Sequence, residues 1–574
     1  MCNDDSRGWG MVARSFEPNG GRTVVAPNGA RVHADHLAQN EVIQRRFYEV
    51  RPGAWYFVGN GLSNQTFLDA PEGIIAIDTG ESIQEMSFAL AELRKHSNRP
   101  IAAVVYSHFH YVEGTQAVFD EGNHLTPLPI FGHHKIALNK SRTAGEIAPA
   151  YGRGLVEQFG IVMPTDGPDG LVNVGLGFSY RNAAHAPATP GYLPVTEVLP
   201  DEGEIHIAGA RVLVKHSPSD SDDSINFFFP DSGVCVHNTV WPVLFNVFAI
   251  RGEEYRDPRV LIPGIDNIIA WEPDHLIATH GPPLSGREDI REKATRYRDS
   301  IQFLWDQTVR AMNKGWTMDE IASRVTLPPL FDVDYLTSER YGVAEHHVRQ
   351  IYTGLRGWFD GEESRLFPLD SAERFAKLIE GFGGRHEVAR QASAAFDSDD
   401  VRWGVELATW LTRSGGATEL DRQLLARGLR LIAERTPAAN IRNWAITRAR
   451  HLDGQTPMDR FMRHGFSAKT IAHMSSVDLV HTLRVLLDPD RAEGVTGHMR
   501  FVVGDETAGL LIRNCVAVPT SGEGADVEVE MSRQTFHSIL GGKLAWSKAE
   551  IALSGDTLMT DTIRQCFDHV GIAG

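Results

Sequence analysis

The chain has 574 residues and is acidic, with 56 lysines and arginines against 74 aspartates and glutamates and a formal net charge of −18. A single hydrophobic core rarely grows beyond about 300 residues, so we expect two to four domains. Nucleic-acid binding needs a basic face, and the acidic balance argues against it. The four cysteines lie far apart, which argues against a disulfide framework and a paired-cysteine zinc site; they are Cys2, Cys235, Cys515 and Cys566.

The sequence contains no segment with the pattern of a membrane or export signal. Its first residues lack a basic stretch followed by an apolar one, as a signal peptide would have. No apolar run reaches the roughly 18 residues that a membrane-spanning helix needs. We therefore expect a cytoplasmic protein without a membrane span.

The first part of the chain alternates between strand and helix patterns. Apolar, β-branched runs separated by Gly, Asn and Pro predict strands, and one segment has helical spacing. The predicted strands are 55–58, 65–68, 73–78 and 101–106, and the predicted helix is 86–96. Strand, helix and strand in this order indicate a layered α/β fold.

A second series of strands follows a stretch of predicted helix and loop between 131 and 175. The predicted strands are 205–215, 225–229 and 233–237, and a short apolar run from 275 ends on His280. The first of these strands leads into an acidic loop, 216–224.

From about Arg287 the pattern becomes helical. Apolar residues follow a 3.6-residue period as far as Gly315, and Thr317 with Glu320 fits a capping box that opens the next helix. Helical spacing continues to about Leu452, and a polar linker follows. The rest is typical of a small α+β domain with an opening and a closing helix; its predicted strands are 499–503, 509–518 and 527–531, and its closing helix is 562–567.

Two histidines two residues apart follow the apolar run 101–106. A strand leading into a loop with His108 and His110 can direct both imidazoles at one metal ion, since imidazole binds zinc, iron and copper. In α/β folds, sites form where strands end. His280 also ends a strand and Asp220 lies in the loop after another, so we expect these four side chains to converge as metal ligands.

Further polar residues are candidates with weaker support. His237 and Asn238 end another predicted strand, and either one is a candidate to face the metal. Asn246 and Arg251 lie five residues apart, and a guanidinium suits sulfate, phosphate or carboxylate, although a lone arginine is usually a surface or ion-pair group. The remaining histidines have no strand-end context and are expected to be structural or exposed; among them are His133, His134, His346 and His347.

Several longer segments resemble the alkyl sulfatases of the metallo-β-lactamase superfamily, nearly from end to end. The segments are R-G-W at 7–9, Y-S-H-F-H at 106–110, 244–252 (L-F-N-V-F-A-I-R-G), 305–322, 341–361, and N-C-V-A-V and I-L-G-G-K-L near the end. The resemblance implies an α/β chain with three domains: an αββα catalytic sandwich at 1–286, an all-α dimerisation domain at 287–452, and a sterol-carrier-like α+β domain with an apolar groove at 453–574. It also implies a homodimer and an amphiphilic or anionic small-molecule substrate.

The metal motif departs from that family. Its members carry His-x-His-x-Asp-His and two zinc ions, whereas here Val112 stands at the aspartate position and Glu113 at the third histidine. The family's first acidic ligand aligns with Asp220, and its bridging glutamate with Asn238 or, if the gap moves by one, with His237. Valine cannot bind a metal, and an asparagine amide is a poor bridge between cations.

We therefore expect one tightly held divalent metal per chain, zinc or iron, and a second ion that is weak or absent. The first site keeps His108, His110 and Asp220. The second keeps His280, which matches the family's last histidine, with Glu113 as a substitute ligand. The family's sulfate-contacting residues match Asn246 and Arg251.

Three functions fit these residues. The first is a metal-dependent hydrolase of an alkyl sulfate or related anionic ester, with Tyr111, Glu113 and His280 as candidate catalytic residues. The second is a mononuclear non-haem iron oxygenase that uses two histidines and one carboxylate on another substrate. The third is a non-catalytic protein that binds amphiphiles. The metal-ligand side chains retained at four strand ends argue against this third function. We favour the hydrolase because the anion-binding pair is retained.

Overall fold

The computed structural model describes residues 15–458, 461, 466, 471 and 474–574, excluding the side chains of residues 143, 144 and 570. The R-G-W segment at 7–9 and Cys2 lie outside the described residues. Two compact units are present. Of the described residues, one unit contains those up to 136 together with 154–457, and the other contains 137–153 together with those from 458 onward.

The larger unit contains a seven-stranded sheet in which neighbouring strands follow chain order. A small ribbon of β1 (Thr23–Val25) and β2 (Arg31–His33) precedes it. The first four strands pair antiparallel and the last four parallel. They are β3 (Arg46–Arg51), β4 (Ala54–Val58), β5 (Gln65–Ala70), β6 (Gly73–Ile77), β7 (Ile101–Val105), β8 (Ile130–Gly132) and β9 (Glu197–Val198).

A second sheet of six strands also follows chain order. Its strands pair antiparallel except for the fourth and fifth, which are parallel. They are β10 (Glu202–Ile207), β11 (Ala210–His216), β12 (Ile225–Phe229), β13 (Val234–His237), β14 (His275–Ala278) and β15 (Leu284–Ser285).

The two sheets pack face to face, and helices cover their outer faces. One buried cluster joins residues of β4 to β7 with residues of β10 to β14, including Tyr56, Val105 and Phe227. The other face of the first sheet packs on α2 and α3, and the other face of the second on α6 and α7. This arrangement confirms the predicted αββα sandwich. The helices up to this point are α1 (Ala34–Val42), α2 (Ile83–Leu93), α3 (Gln116–Glu121), α4 (Ile136–Ala144), α5 (Ala148–Gln158), α6 (Pro258–Trp271) and α7 (Arg287–Asn313).

The region after α7 is helical, as predicted. Its helices are α8 (Met318–Ala322), α9 (Ala344–Arg356), α10 (Ser371–Gly381), α11 (Arg385–Asp397), α12 (Val401–Arg413), α13 (Glu419–Arg435) and α14 (Ala439–Leu452). The capping box of Thr317 and Glu320 is present at the start of α8. The predicted boundaries at 286 and 452 stay predictions.

The C-terminal residues form a five-stranded sheet with helices, the small α+β fold that the sequence predicts. The strand order is β18-β17-β16-β19-β20. The strands are β16 (Gly497–Val503), β17 (Glu506–Arg513), β18 (Val516–Thr520), β19 (Val527–Met531) and β20 (Ala552–Gly555). The helices are α15 (Ser476–Thr482), α16 (Arg533–Leu540), α17 (Thr557–Gln565) and α18 (Val570–Ala573).

Four local predictions need correction. The single strand predicted at 205–215 is wrong, because Ala208 and Gly209 have positive φ angles and form the turn between β10 and β11. The single strand predicted at 509–518 is wrong, because Asn514 and Cys515 have positive φ angles and form the tight turn of a hairpin. The helix predicted at 86–96 begins earlier, at Ile83, since the Ser82 side chain caps it. The stretch after 131 begins with the short strand β8, which the sequence pattern missed. Among the described residues, no helix has the length and apolarity to cross a bilayer; the cytoplasmic location stays a prediction.

Candidate metal centre and anion pocket

The His-x-His pair lies where β7 leaves the core of the sandwich. β7 is fully buried between two parallel neighbours, and the chain then forms a short 3₁₀ turn, Phe109–Tyr111. This turn brings the rings of His108 and His110 to 5.1 Å, centroid to centroid. The prediction that a strand delivers both imidazoles to one edge of the sheet agrees with this geometry.

Asp220 completes a compact cluster with the two histidines. Each of the three residues offers one ligand atom, and these atoms lie within 4.8 Å of one another. Oδ2 of Asp220 is 3.0 Å from Nδ1 of His110 and 3.7 Å from Nε2 of His108. Asp220 comes from the loop after β11, so the two sheets each contribute to the cluster.

A buried network orients His108. The Ser107 hydroxyl donates to Oδ2 of Asp78 at 2.7 Å and lies 2.8 Å from Nδ1 of His108. Since the hydroxyl proton is used on Asp78, the serine oxygen accepts the Nδ1 proton of the imidazole. The lone pair of His108 is then on Nε2, the nitrogen that faces Asp220. Such a partner behind a histidine is typical of metal sites.

The donor set fits a single divalent metal ion. Nε2 of His108 and Nε2 of His110 are buried and have no hydrogen-bond partner among the described residues. Burial lowers the pKa of His108 to about 3, which keeps the imidazole neutral. Burial alone would raise the pKa of Asp220, but His108, His110 and Arg256 together hold it well below its usual range. Neutral imidazoles and an ionised carboxylate are what a divalent cation needs.

Asn238, and not His237, lies against this cluster. The Asn238 amide donates to Oδ1 of Asp220 at 2.6 Å, whereas Nδ1 of His237 accepts backbone N–H groups of Thr239 and Val240. Burial by itself lowers the pKa of His237 to about 3, and no charge of Asp220 contributes. In contrast to our prediction of His237 as a ligand, the structure assigns it to the turn after β13.

The positions of the family's second metal site do not supply ligands to this cluster. Val112 is completely buried. Burial and, to a smaller extent, the charge of Glu113 raise the pKa of Tyr192 to about 12. The same charge also adds to the raised pKa of buried Tyr106. Glu113 is not part of the three-residue group of candidate ligands, and Val112 has no donor atom, so these two positions do not complete a second site of the family type.

His280 and Tyr111 form a pair beside the cluster. Nδ1 of His280 donates to the Leu62 carbonyl at 3.0 Å, which leaves the lone pair on Nε2, 3.4 Å from the Tyr111 hydroxyl. Burial lowers the pKa of His280 to about 4 and raises that of Tyr111 well above its usual value, so both are neutral. His280 is not part of the three-residue group that we predicted it would join.

Asn246, Arg251 and Arg256 are buried polar side chains of the segment between β13 and α6, and together they are the candidate anion pocket. Both side-chain atoms of Asn246 are buried without a hydrogen-bond partner among the described residues, an arrangement that costs about 1–3 kcal/mol unless a ligand satisfies them. Arg251 and Arg256 share one carboxylate, Glu253, at 2.5 and 3.7 Å. Their side chains are only 7% and 4% exposed, so both guanidinium groups are shielded from water.

Arg256 is a residue that sequence reasoning missed. Burial, followed by the charge of Arg251, lowers its pKa, and Asp220 opposes this shift. Arg256 in turn contributes to the lowered pKa of Asp220, which connects the pocket to the metal cluster. The sequence signal for Arg256 is weak: it consists only of its position five residues after Arg251, the arginine predicted to bind the anion.

Known proteins resemble the chain over most of its length. Residues 317–455 match the alkyl sulfatase dimerisation family model, and residues 465–571 match the alkyl sulfatase C-terminal model. A linear primary-alkylsulfatase from Pseudomonas sp. is 32% identical over 524 residues, which is 87% of this chain and 98% of that protein. The chain belongs to the alkylsulfatase family. The sequence-based recognition of the family is confirmed, and so is the prediction of a hydrolytic enzyme of this type.

Other relatives of this alkylsulfatase family member are more distant. An (R)-specific secondary-alkylsulfatase from Pseudomonas sp. is 28% identical, covering 91% of this chain and 80% of its own. The solved structure of a stereoselective inverting sec-alkylsulfatase from Pseudomonas sp. superposes with a TM-score of 0.83 at 23% identity, covering 97% of this chain and 90% of that chain. This likeness confirms the fold. Divalent metal binding is expected of the fold, and His108, His110 and Asp220 are its candidate ligands.

Proposed function

We propose that this chain hydrolyses sulfate monoesters of amphiphilic alcohols and holds one divalent metal ion, zinc in preference to iron. The observation that supports this most is the pairing of the His108–His110–Asp220 cluster with a buried pocket of two arginines. A hydrolase for anionic esters needs both parts, because the metal polarises the ester or activates water while fixed positive charge binds the sulfate.

Each residue of the pocket has a role in holding the anion. Arg251 and Arg256 provide guanidinium donors suited to sulfate oxygens. The unsatisfied amide of Asn246 provides a further donor. Because the pocket is shielded from water, these interactions are stronger than on the surface. They orient the ester toward Asp220 and the two histidines.

Tyr111 and His280 are the proton-carrying pair. The Tyr111 hydroxyl stays protonated at neutral pH, and the lone pair of His280 Nε2 faces it. This pair holds a proton next to the metal cluster and can give one to a leaving alkoxide. We assign no role to Glu113, which is outside the group of candidate metal ligands.

Iron-dependent oxygen chemistry is the second candidate. Two histidines and one carboxylate are the set that holds mononuclear non-haem iron in oxygenases, and the cluster of His108, His110 and Asp220 has this composition. The arginine pocket favours hydrolysis, because an oxygenase has no general need for an anion site.

One experiment separates the candidates. Full-length protein without a histidine tag is analysed for metals, and sulfate release from dodecyl sulfate and from a secondary octyl sulfate is measured in air and under nitrogen. We expect about one equivalent of zinc and equal sulfate release in both atmospheres. His110→Ala should lose both, whereas the exposed control His206→Ala should lose neither. The proposal would be overturned if the purified protein contained iron, consumed oxygen and released no sulfate.

We further propose that the chain forms a homodimer through its helical region. The support is the match of residues 317–455 to the dimerisation family model. Light scattering coupled to size-exclusion chromatography should give twice the 63.5 kDa chain mass, and a monomer across micromolar concentrations would contradict this.

A further inference from the structure

A second group of histidines lies at the end of neighbouring strands, apart from the site described above. His133 and His134 directly follow β8, and Asp201 follows β9. β8 and β9 pair in parallel, so their carboxyl ends meet at one edge of the first sheet. One ligand atom of each residue lies within 4.8 Å of the others.

We propose that His133, His134 and Asp201 bind a zinc ion distinct from the one at Asp220. Two imidazoles and one carboxylate suit zinc, whereas magnesium and calcium prefer oxygen ligands. His133 is buried, while the side chain of Asp201 is 70% exposed. The site is therefore anchored on its inner side and open to an entering ion and to water as a fourth ligand.

The hydrogen bonds of His133 show what an ion would change. Its Nε2 is 3.2 Å from Oδ1 of Asp201, and its Nδ1 accepts the backbone N–H of Lys135 at 3.3 Å. A zinc ion on Nε2 replaces the proton between the imidazole and the carboxylate. The ring proton then moves to Nδ1 and the long Lys135 contact is lost. That loss is small beside the gain of two ligand bonds to a cation, since a net hydrogen bond contributes only about 1 kcal/mol.

The group also borders the loop that carries Asp220. The ring of His216, the last residue of β11, stacks on His133 with centroids 4.6 Å apart and planes within 4°. The His216 backbone N–H donates to the Asp201 carbonyl at 2.5 Å, and its Nε2 donates to the Asp222 carbonyl at 2.7 Å. An ion bound here would hold the start of the 216–224 loop to the end of β8, so its binding should stabilise the sandwich.

The test uses full-length, untagged protein with His110→Ala as background, so that the cluster at Asp220 lacks a ligand. Zinc is titrated in competition with a chromophoric chelator. We expect the His110→Ala protein to bind one equivalent of zinc. Adding the substitutions His134→Ala and Asp201→Asn should abolish this binding or lower the zinc affinity at least tenfold. His206→Ala, an exposed histidine on β10, is the matched control and should retain it.

A thermal melt gives an independent readout. Zinc should raise the Tm of the His110→Ala protein and of its His206→Ala control by the same amount, and should leave the Tm of the His134→Ala, Asp201→Asn protein unchanged. Both substituted side chains are exposed, so the fold should persist, which circular dichroism checks. The proposal is overturned if the His110→Ala protein binds no zinc, or if the added pair leaves its binding unaltered.

Discussion

The side-chain amide of Asn238 donates a 2.6 Å hydrogen bond to Oδ1 of Asp220. The amide itself is fixed, because the indole N–H of Trp241 donates to the Asn238 side-chain oxygen at 3.1 Å. With Oδ1 occupied, Asp220 presents Oδ2 to His108 and His110. An asparagine at this position therefore orients the carboxylate of the first metal site in place of bridging two ions.

Replacing Asn238 by alanine should weaken metal binding without abolishing the fold. Loss of a partner that orients a metal ligand typically lowers affinity about 10–100-fold, and we expect a change of this size for Asn238→Ala in competition with a chelator. Asn226→Ala is a matched control, since Asn226 is also buried but donates to the Gly264 carbonyl away from the cluster. Equal affinity in the two variants would contradict this role.

Arg256→Gln should reduce turnover of an alkyl sulfate while the metal content stays unchanged. A hydrogen bond to a charged group contributes about 1.5–3 kcal/mol, so we expect kcat/KM to fall about 10–150-fold. Arg256→Lys should recover part of the loss, because a lysine keeps the charge but not the planar fork. Arg259→Gln is the surface control. If Arg256→Gln keeps the wild-type kinetic constants, Arg256 does not contribute to sulfate binding.

Glu113→Gln should leave the metal content at the wild-type level. Glu113 is outside the group of candidate ligands, and Val112 beside it cannot bind a metal. Elemental analysis and sulfate-release assays measure the outcome, with His110→Ala as the variant that loses metal. A drop in bound metal for Glu113→Gln would show that this residue replaces the family's third histidine as a ligand.

Buried His347 should make the protein sensitive to acid. Burial, with nearby His346 and Arg256, lowers its pKa to about 3. The folded state therefore keeps it neutral, and its contribution is fully present above the unfolded pKa of about 6.5 and is lost as the pH falls below that value. Between pH 7 and pH 5 the loss is about 2 kcal/mol.

The variant His347→Asn cannot bind this proton, so its Tm should fall less than that of the wild type between pH 7 and pH 5. Differential scanning calorimetry at both pH values measures the difference. His206→Asn, at an exposed position, should keep the wild-type pH dependence. An identical fall in Tm for His347→Asn and the wild type would contradict the assignment.

The sequence by itself determined the family, the strand that delivers His108 and His110, and the helical region that begins near Arg287. These features depend on local pattern: β-branched apolar runs, a 3.6-residue period, and the capping box at Thr317, each of which acts over a few residues. The sequence also predicts that a second metal would be weak or absent, because Val112 carries no donor atom at the position of the family's aspartate ligand.

Only the tertiary structure decided which distant residues meet. His237 and Asn238 are adjacent in sequence, but Asn238 donates to Asp220 whereas His237 accepts the backbone N–H of Thr239. The same holds for His133 and Asp201, which follow different strands and lie 3.2 Å apart. Three-residue β8 carries too little pattern to be recognised, yet its parallel pairing brings these groups together. Contacts between residues far apart in sequence arise from how the sheets pack, which no local pattern encodes.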